Sequence, residues 1–241
     1  MNITNSKINY SGTGETLPVA KTFLSGVFMW MGLALSITAI VSWLFASDAS
    51  LMGMLINTQT GSMSMLGWIV MLAPLGLVLW MSFGFQKLSA STLVLIFIAY
   101  SALMGMSLSF IFIIYTLPSI AKTFVITAGM FGFMGVVGYT TKTDLTKFGS
   151  LMMMGLVGLI IASVVNMFMH SETMEYVISF IGVLVFTGLT AYDVQKLKRI
   201  GATITQGTET ARKVTIMGAL TLYLDFINLF LFLLRLFGSR K

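Results

Sequence analysis

The sequence predicts an all-α integral membrane protein with seven transmembrane helices. Of its 241 residues, 57% are hydrophobic and 9% are charged, whereas a soluble domain carries about 25% charged residues. The apolar runs are long and continuous, which indicates helices rather than the short alternating segments of a β-barrel. The absence of Cys excludes disulfides and thiolate metal sites. The net charge of +6 is not evidence of nucleic-acid binding, because most Lys and Arg flank spans, where they set topology.

Seven long apolar stretches follow a polar N-terminal segment. Residues 1–20 show no hydrophobic periodicity, so we expect a flexible cytoplasmic tail there and one seven-helix transmembrane domain over residues 21–238. The predicted spans cover residues 22–47, 64–86, 91–116, 121–140, 149–169, 174–195 and 214–237. The first span is too long for a signal peptide, whose apolar core has about 7–15 residues. The most basic loop is predicted over residues 196–213.

Prolines and glycines mark individual spans. Pro74 predicts a kink in the second span, and Pro118 is expected to end the third. The fourth span carries glycines at every third position, which are Gly129, Gly132, Gly135 and Gly138. Small residues let helix backbones approach closely, so this stripe indicates a packing face, with a glycine-lined pore wall as the alternative. The 20 Met residues favour adaptable apolar packing over metal binding.

The distribution of cations predicts the orientation, since seven spans put the two termini on opposite sides of the membrane. With the N-terminus inside, the inner segments hold Lys7, Lys21, Lys87, Lys142, Lys147, Lys196, Lys198, Arg199, Arg212 and Lys213. The outer segments then hold Lys122, Arg235, Arg240 and Lys241. Ten cations against four favour a cytoplasmic N-terminus and an external C-terminus. The compact chain and short tails favour a bacterial inner membrane.

The seventh predicted span contains an acid, Asp225, near its middle. A carboxylate in hydrocarbon costs several kcal/mol or holds its proton. Helical spacing places four small or polar residues on one face of this span, namely Gly218, Thr221, Asp225 and Asn228. A matching stripe in the sixth span consists of Gly182, Phe186, Thr190 and Asp193. Asp193 is therefore the natural partner of Asp225, and both are expected to face the bundle interior.

Two carboxyl groups in close contact cannot both ionise cheaply. At low pH the pair would share a proton and hold the last two spans together, and at higher pH repulsion would separate them, which is a pH-dependent gate. Two carboxylates also attract Ca²⁺, but about six to eight oxygens are needed, so we expect weak binding completed by Asn228, Thr hydroxyls and water. Straight helices would leave the acids roughly 10 Å apart in depth, a gap that tilt or a bend near Gly188 or Gly218 must close.

The alternative is two independent acids. Asp193 would then be an interfacial residue neutralised by Lys196 or Arg199. Asp225 would be a protonated side chain that makes a packing hydrogen bond. The spacing of the residues leaves both arrangements open.

Two segments resemble the Bax-inhibitor-motif membrane proteins, the TMBIM family. They are TGLTAYDVQKLKRI (187–200) and LTLYLDFINLFLFLLRLFG (220–238), and the agreement in span layout and charge covers about residues 21–238. The resemblance implies a bundle whose seventh helix is central and surrounded by the other six. It also implies a pH-sensitive calcium leak channel or transporter, in which Asp193 and Asp225 form the pH gate and ion path and bind Ca²⁺ weakly.

Five polar residues beside the acids are candidates for a supporting role, namely Thr190, Thr221, Asn228, Tyr192 and Gln195. The resemblance also implies an Arg in the second span that latches the acids, but residues 64–86 contain neither Arg nor Lys. Lys87 is therefore the candidate latch. The loop predicted over residues 196–213 is long for the family. No cofactor is expected, because calcium is the transported ion. The expected partner around the bundle is the lipid bilayer.

Other functional classes lack their signature residues. An intramembrane aspartyl protease needs Gly-x-Gly-Asp, where this chain has Leu-Tyr-Leu-Asp at 222–225. A rhodopsin-like photoreceptor needs a Lys in the last span, and residues 214–234 contain none. A rhomboid-type protease needs a Ser–His pair at membrane depth, but the single His is the interfacial His170. We therefore expect no enzyme; the alternative function is regulatory, by binding a membrane AAA protease or a cell-death pathway component, as the resemblance also implies.

Overall fold

The computed structural model describes residues 16–57 and 61–241, and this part of the chain folds as a helical bundle. Its helices are α1 (Thr16–Ser47), α2 (Ala49–Leu55), α3 (Met65–Gly84), α4 (Ala90–Leu108), α5 (Ile111–Ile114), α6 (Leu117–Thr140), α7 (Thr146–Met169), α8 (Glu172–Thr203) and α9 (Glu209–Phe237). They form seven spans long and apolar enough to cross a bilayer, with α4 and α5 together in the third. The predicted fold class is confirmed. Of the tail predicted over residues 1–20, residues 1–15 lie outside the described part.

The largest difference from the predicted boundaries lies between the last two spans. The loop predicted over residues 196–213 is wrong, because α8 continues to Thr203 and α9 already begins at Glu209. Lys and Arg are good helix formers, so the cations of this region end the apolar stretch without ending the helix. The connection is a short turn over residues 204–208, in which Gly207 has a φ of 80°.

The start of α6 also differs from the prediction. This helix begins at Leu117 instead of residue 121, and Pro118 occupies its first turn, where a missing N–H is tolerated. In α3, the helix continues through Pro74. Four helices have a hydroxyl N-cap that accepts a hydrogen bond from the N–H three residues later, namely Ser64, Ser89, Ser171 and Thr208.

The centre of the bundle is α9. Buried residues make up 67% of its most apolar stretch and 61% of that of α8, against 11% to 39% for the other spans. The main neighbours of α9 are α1, α4, α6 and α8, while α3 packs on α4 and α7 packs on α8. The central position of the last span is confirmed, but its principal contacts come from four helices instead of six. Outer faces carry exposed apolar side chains such as Phe83 and Leu95, which suit contact with lipid.

The glycine stripe of α6 is only partly a packing face. A side chain at Gly138 would collide with the backbone carbonyl of Ala191 in α8. In contrast, Gly129 and Gly132 are exposed, with nothing within 4 Å of an added Cβ. A spacing of three residues drifts by about 60° per step around a helix of 3.6 residues per turn, so Gly129 and Gly138 point to opposite sides.

We predict that Gly138→Ala destabilises the bundle whereas Gly129→Ala does not. The added methyl group at residue 138 meets the Ala191 carbonyl, and overpacking of this kind costs about 1–3 kcal/mol. Thermal unfolding of the purified protein in detergent can be followed by the fluorescence of its four Trp residues. Equal melting temperatures for the two variants would contradict the close approach of α6 and α8.

Candidate functional site

The last two helices, α8 and α9, lie antiparallel and pack through glycines at two levels. Gly218 of α9 faces Leu197 of α8, and Gly182 of α8 faces Phe232 of α9. A Cβ on either glycine would lie within 2.7 Å of the facing side chain. These two contacts fix the register of the helices on both sides of the acids, and they hold the helix backbones close together.

This register brings Asp193 and Asp225 to similar depths. Asp225 lies level with about residue 190 of α8, so the two acids are offset by about three residues, or roughly 4.5 Å along the axis. The gap of roughly 10 Å that straight helices with level outer ends would leave does not arise, because the outer ends of α8 and α9 are not level. From the same register, the start of α8 at Glu172 extends about five residues past the end of α9 at Phe237.

The carboxyl groups of Asp193 and Asp225 lie close enough to interact directly with each other. Both residues are buried, with 8% and 5% of their surface exposed. A carboxylate has no hydrogen to donate, so the two groups can hydrogen-bond to each other only when one of them carries a proton. Oδ2 of Asp225 accepts no hydrogen bond from any N–H or neutral hydroxyl among the described residues. The two acids are thus each other's polar partners in the core.

No cation of the described residues forms an ion pair with either acid. Lys196 follows Asp193 by three residues on α8, is exposed, and its Nζ lies 5.9 Å from the centre of the Tyr192 ring. Arg199 pairs with Asp144 instead, at 2.8 Å. In the structure Asp193 thus lies beside Asp225, whereas Arg199 is engaged with Asp144.

Three of the candidate supporting residues form hydrogen bonds within their own helices. Each donates to the carbonyl oxygen four residues earlier, at 2.8 Å for Thr190, 3.1 Å for Thr221 and 2.8 Å for Asn228. Among the described residues, no hydrogen bond joins these side chains to either acid. The structure does not bring them to the carboxyl pair.

Tyr192 and Lys87 contact other parts of the bundle. The half-buried ring of Tyr192 packs over Gly149 of α7, which has no side chain to block it. Lys87 is exposed in the turn between α3 and α4, and it is in none of the ion pairs of the described part of the chain. The structure does not bring this candidate latch to the acids.

Gln195 ties α8 to the turn between α6 and α7. Its side chain is 5% exposed. Its Oε1 accepts a hydrogen bond from the N–H of Leu145 at 2.9 Å, and its Nε2 donates to the carbonyl of Thr143 at 2.8 Å. Both partners belong to that turn, and Gln195 lies two residues beyond Asp193. A buried side chain with both polar atoms satisfied in this way fixes the position of its helix.

Arg199 extends this connection by one helical turn. Its Nη2 donates to Gln195 Oε1 at 2.9 Å and to Asp144 Oδ1 at 2.8 Å. Hydrogen bonds from Thr146 and from the Arg199 guanidinium hold the pKa of Asp144 well below its usual range. We call Gln195, Arg199 and Asp144 the α8 lock.

The α8 lock is not predicted from the sequence, although the spacing of two of its residues indicates it. Gln195 and Arg199 are four residues apart and share one face of a continuous helix. The spacing has this meaning only if the helix continues past residue 195, and the basic segment was predicted to be a loop. Because the helix is expected to end at residue 195, the sequence does not place Arg199 on the same helix as Gln195.

The carboxyl pair is a poor permanent metal site. Among the described residues, no group of three or more His, Cys, Asp or Glu side chains is placed to hold a metal ion. Two carboxylates supply at most about four oxygens, fewer than the six to eight that Ca²⁺ takes. Weak binding of Ca²⁺ by Asp193 and Asp225 stays a prediction.

Comparison with known proteins decides the family. The family model described as inhibitor of apoptosis-promoting Bax1 matches residues 20–241. The chain belongs to this Bax-inhibitor family. The inner membrane protein YbhL of Escherichia coli is 50% identical over 222 residues, which cover 92% of this chain and 93% of YbhL. A protein of Rickettsia prowazekii is 43% identical over 241 residues, which cover 97% of this chain and 99% of that protein.

The family match includes the whole of the carboxyl pair and the α8 lock, since it begins at residue 20. A protein of Borreliella burgdorferi, 44% identical over 227 residues, likewise covers 94% of this chain and 96% of its own length. The resemblance to TMBIM proteins seen in the last two spans is therefore confirmed at the level of the family and of the complete bundle.

We predict that the Arg199–Asp144 pair does not titrate between pH 5 and pH 8. Because the folded-state pKa of Asp144 is lowered, its contribution to stability is complete above the ordinary pKa of about 4 and is lost as the pH falls through the lowered value. The difference in melting temperature between the wild type and Asp144→Asn should therefore be the same at pH 5 and pH 8. A difference that vanishes at pH 5 would show that the lock itself senses pH.

Proposed function

We propose that this protein is a pH-sensitive calcium leak channel or transporter gated by the Asp193–Asp225 pair. The observation that carries the proposal is the contact between the two carboxyl groups on the two most buried spans. A buried contact whose charge depends on one proton, and which joins two helices, is the kind of bistable element that pH switches use.

In the closed state, the pair holds one proton and its contact is attractive. It joins α8 to α9 inside a layer of apolar side chains, which includes the buried Val194, Leu222 and Leu229. An ion that enters such a layer loses its hydration without replacement ligands, and this costs many kcal/mol. The protonated pair therefore keeps the interior closed to cations.

In the open state, the pair has lost its proton and carries two like charges. At about 4 Å and an effective dielectric constant of 20, their repulsion is roughly 4 kcal/mol. This repulsion favours separation of α8 from α9 and exposes two carboxylates along the gap.

Calcium would pass the separated carboxylates without forming a stable site. A pair of carboxylates attracts a divalent cation, and water or backbone carbonyls complete its shell. The half-buried Asn228, about one turn from Asp225, makes no hydrogen bond to the acids in this structure, but its side-chain oxygen would be available once α8 and α9 separate. Weak, incomplete coordination permits release, which conduction requires.

We further propose that the protein lies in a bacterial inner membrane with a cytoplasmic N-terminus and an external C-terminus. The seven spans and the ten cations against four support this orientation. The similar protein YbhL carries the name inner membrane protein, which supports the membrane.

We predict that Asp193→Asn and Asp225→Asn abolish the pH dependence of calcium flux. In proteoliposomes, the wild type should carry Ca²⁺ at least about tenfold faster at pH 8 than at pH 5, because a few kcal/mol of repulsion far exceeds the 1.4 kcal/mol that a tenfold change needs. Each Asn variant has one titratable group and no like-charge contact, so its flux should vary by less than about twofold over the same range.

The matched control is Asp48→Asn, the same substitution at an exposed acid that caps α2. Asn is an equally good N-cap, so this variant should retain the wild-type flux and pH profile. Unchanged pH profiles for both core variants would contradict the carboxyl gate. A wild type that carries no Ca²⁺ at any pH would contradict the channel itself.

A further inference from the structure

A lateral groove opens between α1, α6 and α8. Leu24 and Phe28 of α1 form one wall, Gly132 and Gly135 of α6 form the other, and Val194 of α8 forms the floor. Its volume is about 350 Å³ and its lining is almost entirely apolar. The groove is distinct from the carboxyl pair, although its floor residue directly follows Asp193 in the chain.

The groove exists because α6 carries glycines where it passes α1. An added Cβ at Gly132 would meet nothing within 4 Å, and one at Gly135 would lie 4.0 Å from Cγ2 of Val194. Larger residues at these two positions would project into the open space. Gly132 and Gly135 therefore shape a cavity, whereas Gly138 packs against α8.

One end of the groove is positively charged. Lys21 lines this end, is exposed, and is in none of the ion pairs among the described residues. Tyr139 lies at the same end, and Nζ of Lys198 donates to its carbonyl at 2.7 Å and sits 4.7 Å from its ring centre. The lining contains no acidic residue to balance these two ammonium groups.

Away from its charged end, the groove opens on a surface that suits contact with lipid. Phe28 and Val136, which line it, are 39% and 62% exposed, and both lie within apolar spans. The molecule that fits is therefore apolar over most of its length and anionic at one end. A phospholipid with a net negative headgroup has this chemistry, and basic pockets between membrane helices suit such headgroups.

We propose that this groove is a binding site for one anionic phospholipid. One acyl chain lies along Gly132 and Gly135 against Val194, and the phosphate lies between Lys21 and Lys198. The Lys198 ammonium has three N–H donors, of which one is bonded to the Tyr139 carbonyl, so donors are left for the phosphate. This site does not require that the protein conduct calcium.

The test is native mass spectrometry of the full chain after exposure to equal amounts of phosphatidylglycerol and phosphatidylcholine. The wild type should retain one phosphatidylglycerol in clear preference to phosphatidylcholine, because each cation near the headgroup contributes roughly fivefold. Lys21→Gln should reduce that preference by about fivefold. Gly132→Leu should fill the groove and remove retention of both lipids.

Gly129→Leu provides the matched control. Gly129 lies one turn earlier on the same helix, is equally open, and is not among the groove residues, so this variant should bind lipid as the wild type does. Equal retention of the two lipids by the wild type would overturn the proposal, as would full retention by Gly132→Leu. A dimer without lipid would assign the groove to a second copy of the chain. Lys21→Gln alters an exposed side chain, so it tests the headgroup site even if Gly132→Leu does not fold.

Discussion

The proposed gate depends on the contact between the carboxyl groups of Asp193 and Asp225. In the core of a membrane bundle, two ionised carboxylates in contact would each lose hydration and would also repel each other. One shared proton removes the repulsion and makes a hydrogen bond. In the proposed gate, a single proton therefore decides whether this contact between the two most buried spans is attractive or repulsive.

The rest of the bundle keeps these two groups within reach of each other. The glycine contacts at Gly182 and Gly218 set the register of α8 and α9, and Gly138 lets α6 approach α8 from the other side. The α8 lock fixes the same helix to the turn between α6 and α7 just beyond Asp193. A separation of α8 from α9 must either break the hydrogen bonds of Gln195 or carry that turn along with α8.

In the proposed mechanism, the α8 lock and the carboxyl pair, which both attach to α8, differ in their response to pH. Asp144 is exposed and stabilised by donors from Thr146 and Arg199, so it stays ionised at physiological pH. Asp193 has only another carboxyl group and a more distant Lys196. We therefore expect the α8 lock to stay attached while the carboxyl contact changes, which confines the proposed switch to the interface of α8 and α9.

Much of the fold and the pair itself could be predicted from the sequence. Long apolar stretches determine the spans, and helical spacing puts Asp193 and Asp225 on inward faces. The depth of the acids could not be predicted, because it depends on the register of α8 against α9, which glycine contacts set in three dimensions. The apolar pattern predicts that α8 ends where its cations begin. Neither the full length of α8 nor the α8 lock could therefore be predicted. Because glycines at every third position drift around α6, Gly138 packs against α8 whereas Gly132 and Gly135 line an open groove.

The most direct test of the central claim is infrared spectroscopy of the protein in lipid bilayers, which detects the carbonyl stretch of a protonated carboxylic acid. A shared proton predicts such a band at pH 5, its loss at pH 8, and a change in its position in both Asp193→Asn and Asp225→Asn, because each substitution alters the partner of the remaining acid. A band that is absent at every pH, or that Asp193→Asn leaves unchanged, would contradict the coupled pair.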